Sequence, residues 1–263
     1  MRKTTFEDIS KDLLHFITKS PSPYHVVKNM KSALVYSNYI ELREEDEWNI
    51  EKGGHYVVTR NGSALISFTV PDEEIYSFRI VAAHNDSPTF QIKENPELQD
   101  NTYIRLNVEG YGGMIMNSWI DRPLSVAGRI YINKEGTITP EMIAIDGTTL
   151  IIPSVAIHMN REINKGYTWN IQKDLLPLYG TAETKISFMQ MIAAAANVTT
   201  DSILGHDLFL YSRVPGTIWG IEKEFISSPR LDDLQCAFAA FRGYALAKKQ
   251  NHICIYVLFN HEE

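Results

Sequence analysis

The sequence predicts an α/β protein in which a layered domain of sheet and helix is interrupted by a second, β-rich domain. Three observations carry that prediction. Apolar, β-branched runs suited to buried strands of a parallel sheet stand far apart in the chain, at residues 76–83 and 253–259. A helical pattern built on Leu234, Phe238, Phe241 and Ala245 directly precedes the later run, so strand, long excursion, helix and parallel strand compose one layer. Between them, residues 95–228 break into short β-rich pieces punctuated by Gly110, Gly112, Gly113 and Gly128, the pattern of an insertion. The domains drawn this way are 1–94 together with 229–263, and 95–228 between them.

Each element follows from local chemistry. Residues 5–19 set Phe6, Ile9, Leu13, Phe16 and Ile17 at helical spacing, Ser20-Pro21-Ser22-Pro23 stops that helix, and a second begins near Tyr24. Residues 55–60 and 63–70 read as strands joined by Asn61-Gly62, the dipeptide that best tolerates the positive φ of a tight hairpin turn. The run at 76–83 leads into His84-Asn85-Asp86-Ser87-Pro88. Within the insertion, strands are expected at 103–108, 124–132 and 150–158, and a helix through 186–196. Residues 119–123 read as a turn held by an Asp121–Arg122 ion pair, and 216–225 as a tight return. A helix at about 231–249 opens with Asp232 and Asp233, and the final strand at 253–259 delivers His261-Glu262-Glu263.

Composition narrows the partners. In 263 residues, 25 basic against 32 acidic side chains give a formal net charge of −7 without a basic cluster, which offers nothing to nucleic acid or an anionic membrane. Cys236 and Cys254 are isolated in apolar stretches and read as buried free thiols of a reducing compartment. Glu7, Asp8 and Asp12 leave no signal-like apolar core near the start, and no apolar run approaches the roughly 20 residues of a membrane span. The expectation is a cytoplasmic protein whose partner is a small molecule or a peptide.

The chemistry-bearing residues fall at element ends. A His at the end of a buried strand with an Asp two residues on, as in His84 and Asp86, suits a metal-binding imidazole whose other ring N–H is held by the carboxylate. Glu262 and Glu263 follow a strand, where adjacent side chains point in different directions and can divide proton transfer from metal ligation. Taken alone, the pair reads as a solvated acidic strand end, and Asp232 as an ordinary helix cap. Taken together, His84, Asp232 and Glu263 form a ligand set for zinc or a similar divalent ion, with Glu262 as a base. A bridging carboxylate can hold two ions about 3.5–4 Å apart, and such a pair generates hydroxide near neutral pH. On its apolar stretch, His158 reads as a core histidine.

Seven stretches resemble the aspartyl aminopeptidase family, in that family's order and across the whole chain. They are Ser20-Pro21-Ser22-Pro23-Tyr24-His25, residues 82–88, Asp121-Arg122-Pro123-Leu124, Ala127-Gly128-Arg129, residues 152–158, residues 229–234 and His261-Glu262-Glu263. The resemblance implies a zinc-peptidase-like α/β/α catalytic domain interrupted by a β-rich dimerisation domain. It implies two zinc ions per active site, with Co2+ or Mn2+ as substitutes, and hydrolysis of the N-terminal residue, Asp or Glu by the family's name, from peptides with a free N-terminus. His84 and Glu263 would each bind one metal and Asp232 both. Glu262 would be the general base, Asp86 would orient His84, and the Asp232–Asp233 peptide would be cis. His158 would reach a partner subunit's active site, and self-association through 95–228 would build a dimer-based larger homo-oligomer. Family members continue past the Glu-Glu pair with an Asp and a His ligand, so the C-terminal part of the catalytic domain is expected beyond residue 263. Two other readings stay open: a two-metal deacylase or carboxypeptidase of similar architecture, and a truncated, non-catalytic assembly subunit.

Overall fold

The computed structural model describes residues 5–248 and 250–263. The chain forms two compact units, one of residues 1–87 and 215–263 and the other of residues 88–214. Both crossings fall just before a proline, Pro88 and Pro215, rather than at 94/95 and 228/229, because the strand after Pro88 already belongs to the second unit's sheet.

The first unit opens with α1 (Phe6–Lys19), whose Thr5 and Asp8 form a reciprocal capping box, and α2 (Pro23–Tyr36), with proline at its first position. Then come β1 (Ile40–Leu42), β2 (His55–Arg60), β3 (Ala64–Thr69) and β4 (Ser77–His84). The β2–β3 hairpin turns at Asn61 and Gly62, both at positive φ, with Ser63 N–H bonded to Arg60 C=O at 3.1 Å.

The second unit contains β5 (Thr89–Gln99), β6 (Tyr103–Tyr111), β7 (Leu124–Lys134), β8 (Thr137–Ala144), the single turn α3 (Ile171–Asp174), β9 (Leu178–Thr181), α4 (Phe188–Ala196) and β10 (Ile203–Ser212). Its strands make an antiparallel sheet in the order β8-β7-β10-β5-β6-β9. Phe90, Leu106, Ile130, Ile152, Phe188 and Leu208 fill its core. The stretch 150–158, expected as a strand, makes only single bridges at Leu150 and Ile151; Pro153 has no N–H to extend the pairing. Asp121 is bonded to Ser154 instead of Arg122, accepting its backbone N–H at 2.8 Å and its hydroxyl at 2.6 Å. These two bonds hold the Asp121 carboxyl below the usual range.

The chain returns to the first unit through a small hairpin, β11 (Thr217–Trp219) with β12 (Phe225–Ser227), then α5 (Leu231–Leu246) and β13 (His252–Phe259). The sheet order is β1-β2-β3-β13-β4. β13 runs parallel to β4 and antiparallel to β3, so the expected parallel sheet is mixed, because the β2–β3 hairpin must reverse direction. The helical side of the sheet is closed by Val26, Met30, Leu65, Leu234, Tyr256 and Leu258. Tyr256, fully buried there, donates its hydroxyl to Ala237 C=O at 3.1 Å, and burial pushes its phenol pKa up. Cys254 is buried, whereas Cys236 is exposed, since it lies between the inward-facing Leu234 and Ala237 on the outer side of α5. Among the described residues no helix is long and apolar enough to cross a membrane.

Candidate metal centre

Parallel pairing brings the ends of β4 and β13 to one edge of the first unit's sheet, where open α/β sheets place their ligands. His84 stands opposite Phe259, and Asn85 N–H continues the ladder to Phe259 C=O at 3.0 Å. Asn85 is buried and donates its amide to Ser63 C=O at 2.8 Å, which ties the β2–β3 turn to the residue after His84.

The start of α5 completes the edge. Arg230 has a left-handed backbone, Asp232 and Asp233 depart from helical φ/ψ, and the peptide between the two aspartates is cis. No side-chain hydrogen bond caps this helix start, so the reading of Asp232 as an ordinary cap is corrected. Asp233 Oδ2 instead accepts the backbone N–H of His84 at 3.1 Å, and Asp232 C=O accepts the Ser87 hydroxyl at 2.8 Å. Two bonds therefore lash the helix start to the strand end. The thiol of Cys236 also bonds Asp233, an interaction that raises its pKa.

Around the imidazole the carboxylates converge. Nε2 of His84 lies 3.5 Å from Asp232 Oδ1, 3.7 Å from Asp233 Oδ2 and 3.7 Å from Glu262 Oε2. On the other side of the ring, Nδ1 faces Asp86 Oδ1 at 3.3 Å. Asp86 is only 1% exposed, and its Oδ2 accepts the Glu263 N–H at 3.0 Å. A carboxylate at Nδ1 fixes the tautomer that turns the Nε2 lone pair toward the other three carboxylates.

This donor set fits a zinc ion. Atoms sharing one tetrahedral zinc at about 2.0–2.2 Å stand roughly 3.3–3.6 Å from each other, close to the Nε2–Asp232 separation. His84, Asp232 and Asp233 each offer an atom within 4.8 Å of the others. Carboxylates gathered this closely repel one another unless a cation sits among them.

Of the residues picked from sequence, the fold brings His84, Asp86, Asp232 and Glu262 together. Glu263 joins through its backbone N–H to Asp86. His158 belongs to the second unit, where it is exposed on a 3-10 turn, Ile157–Met159, rather than held in a strand. Sequence reasoning missed Asp233 as a member of the cluster; the signal available was two adjacent acids where a helix begins.

A family model described as aminopeptidase I zinc metalloprotease (M18) matches residues 16–263. A protein of Clostridium novyi described as probable M18 family aminopeptidase 2 is 44% identical over 263 residues, covering 97% of this chain and 61% of its own length. The solved structure of Chaetomium thermophilum mApe1 superimposes with a TM-score of 0.90 at 30% identity, covering 97% of this chain and 63% of that one. The dodecamer of S. cerevisiae mApe1 gives a TM-score of 0.81 at 27% identity, over 98% of this chain and 61% of that one. The chain thus spans about three-fifths of the length of these relatives.

Proposed function

From the premise that the chain belongs to the aminopeptidase I zinc metalloprotease family (M18), we propose that it carries the zinc-holding part of an aminopeptidase that removes N-terminal residues, acidic ones by preference, from peptides with a free N-terminus. The observation that carries the reading is the convergence of Asp232, Asp233 and Glu262 on Nε2 of His84, with Asp86 behind the ring. His84, Asp232 and Glu263 hold the metal in this reading, Asp232 serving two ions, and Asp233 is a further carboxylate within reach. When bound, zinc supplies Lewis-acid polarisation of the scissile carbonyl and a lowered pKa for water.

The protein's own groups do the rest. Asp86 keeps the proton on Nδ1 of His84 and the ring in place. Glu262 is exposed and unconfined by helix or strand, so its carboxylate can take a proton from the attacking water and return it to the leaving amine. His158 from a second copy donates a hydrogen bond to the tetrahedral intermediate. Self-association through the second unit, in a dimer-based homo-oligomer, brings it there. The exposed Val155, Ile157 and Met159 beside His158 offer apolar contact for that association, and the S. cerevisiae mApe1 relative, itself a dodecamer, supports self-association in general. The two free cysteines suit a reducing, cytoplasmic setting.

A panel of aminoacyl anilides with acidic, neutral and basic residues, each also in N-acetylated form, tests the proposal on the purified protein. Hydrolysis should require a free α-amine, stop on zinc chelation and return with Zn2+, Co2+ or Mn2+. The Glu262→Gln variant should lose about 100-fold or more in kcat while its zinc content stays that of wild type. Hydrolysis of N-acyl amino acids, or release of C-terminal residues, would replace this reading with a deacylase or carboxypeptidase. Undiminished kcat in the variant would remove Glu262 from its role.

A further inference from the structure

His206 lies inside the second unit with nothing to bond. Alternation along β10 sets it on the side of Leu208 and Leu210, which belong to the core, and opposite Ile130, itself fully buried. Both ring nitrogens are sealed from solvent, and among the described residues neither has a hydrogen-bond partner. The two seams that β10 makes are unequal. Toward β7 it is paired from Ile203 to Ser212, past one bulge. Toward β5 the register holds at Phe209 and Gln91 alone among the described residues, with the Thr89 hydroxyl donating to Leu210 C=O at 2.6 Å. β5 also leaves its ladder with β6 between Ile92 and Glu97. Three residues on from the Phe209–Gln91 pair, in opposite senses along the two strands, the register would set Glu94 across from His206; instead the segment that carries Glu94 has left both ladders.

The charged groups around the ring are few. Glu94 of β5 and Asp207 of β10 are the carboxylates that act on it. Asp207 alternates to the other side of the sheet, where Arg129 of β7 holds it at 2.7 Å. Asp201, on the turn before β10, is exposed, Lys93 of β5 reaches Gln172, and α4 carries no charged side chain. A neutral imidazole tolerates such a place, but an imidazolium brings a charge and two N–H donors that need water or a carboxylate. We propose that His206 is an acid-sensitive latch of the second unit: once protonated, its ring leaves the margin of the core for Glu94 and water, and β10 parts from β5 starting at that end. Burial holds the imidazole below its usual pKa, against the pull of the two carboxylates. The opened form therefore takes the proton first, so the seam is closed above about pH 6.5 and yields as the pH falls below it. The seam with β7, paired along its length, stays shut. The latch belongs to the second unit alone, and neither zinc nor catalysis enters it.

The test is amide exchange of the purified chain at pH 7.5 and 5.5, read residue by residue and corrected for the intrinsic pH dependence of exchange. One proton taken up below pH 6.5 should make the amides shared by β5 and β10 open about tenfold more at the lower pH, while those shared by β7 and β10 keep their protection. Ordinary carboxylates titrate below this window, and His25 belongs to the first unit, whose amides are read apart. His206→Gln should abolish the difference between the two pH values. Glu94→Gln, at an exposed position, should reduce it about two- to fivefold, the worth of an exposed ion pair. Equal protection of the β5–β10 amides at both pH values in the wild-type chain would overturn the proposal. So would a difference that survives His206→Gln, or one that Glu94→Gln leaves unaltered.

Discussion

Asp86→Ala should separate the support of the metal centre from its ligands. Asp86 touches no metal in the proposed arrangement, yet from a position 1% exposed its Oδ2 accepts Glu263 N–H at 3.0 Å and its Oδ1 faces His84 Nδ1 at 3.3 Å, a close approach outside hydrogen-bond geometry. Alanine leaves the Glu263 N–H facing a cavity and removes the negative charge beside the ring. An unsatisfied buried group costs about 1–3 kcal/mol, the lower end applying where water enters, so a loss of about that size in unfolding free energy is expected. Freed from its partner, the imidazole can take the other tautomer or rotate, and losses of support of this kind cost about 10–100-fold in metal affinity, or about 1.4–2.7 kcal/mol. Asp86→Asn keeps an oxygen acceptor for one of the two partners and should fall between wild type and alanine on both scales. Urea unfolding of the metal-free chain gives the first quantity and calorimetric zinc titration the second. Zinc affinity within about twofold of wild type in folded Asp86→Ala would refute the claim that this carboxylate orients His84.

Two further outcomes follow from particular side chains. His25, in the first turn of α2 with Ser22 Oγ 2.8 Å from its Nδ1, has its pKa lowered to about 4 by desolvation and then by Lys28; since the folded chain resists the proton that the unfolded chain accepts, this stability is present above about pH 6.5 and is lost as pH falls toward 4, at no more than about 1.4 kcal/mol per unit, so His25→Gln should unfold with a shallower pH dependence than wild type in that window. In Gly128→Ala the new Cβ would meet Asp207 C=O of β10 far inside contact distance and Leu208 Cα at 3.0 Å; because both neighbours are paired backbone, β7 and β10 must separate, at a cost of about 1–3 kcal/mol or more, read as a lowered denaturation midpoint.

What could be read from the sequence depended on how local the cause was. The β2–β3 turn was legible because Asn61 and Gly62 carry their own conformational preference, and α1 because its capping box and apolar spacing lie within one segment. The meeting of His84, Asp232 and Glu262 was legible at longer range, since parallel strands deliver their ends to one edge whatever lies between. The losses have non-local causes. Composition reports what a strand is fit for, so β4 read as buried although the described residues leave most of it exposed. Residues 150–158 have strand-like composition, but their backbone partners are single bridges and the Asp121 carboxylate. Asp233 was missed because capping is the usual work of an acid at a helix start; that its carboxylate holds the N–H of His84 depends on a strand 149 residues away in sequence.

The open edge and the metal centre are one problem seen from two sides. His84 is the last residue of β4, which among the described residues pairs only with β13, and edge strands with exposed side chains open at low free-energy cost. A ligand on such a strand would wander unless something local held it, and three contacts do so: Asp233 on its N–H, Asp86 behind its ring and Asn85 on both Phe259 and Ser63. These contacts fix His84 relative to α5 and β13, but they do not stiffen residues 78–82.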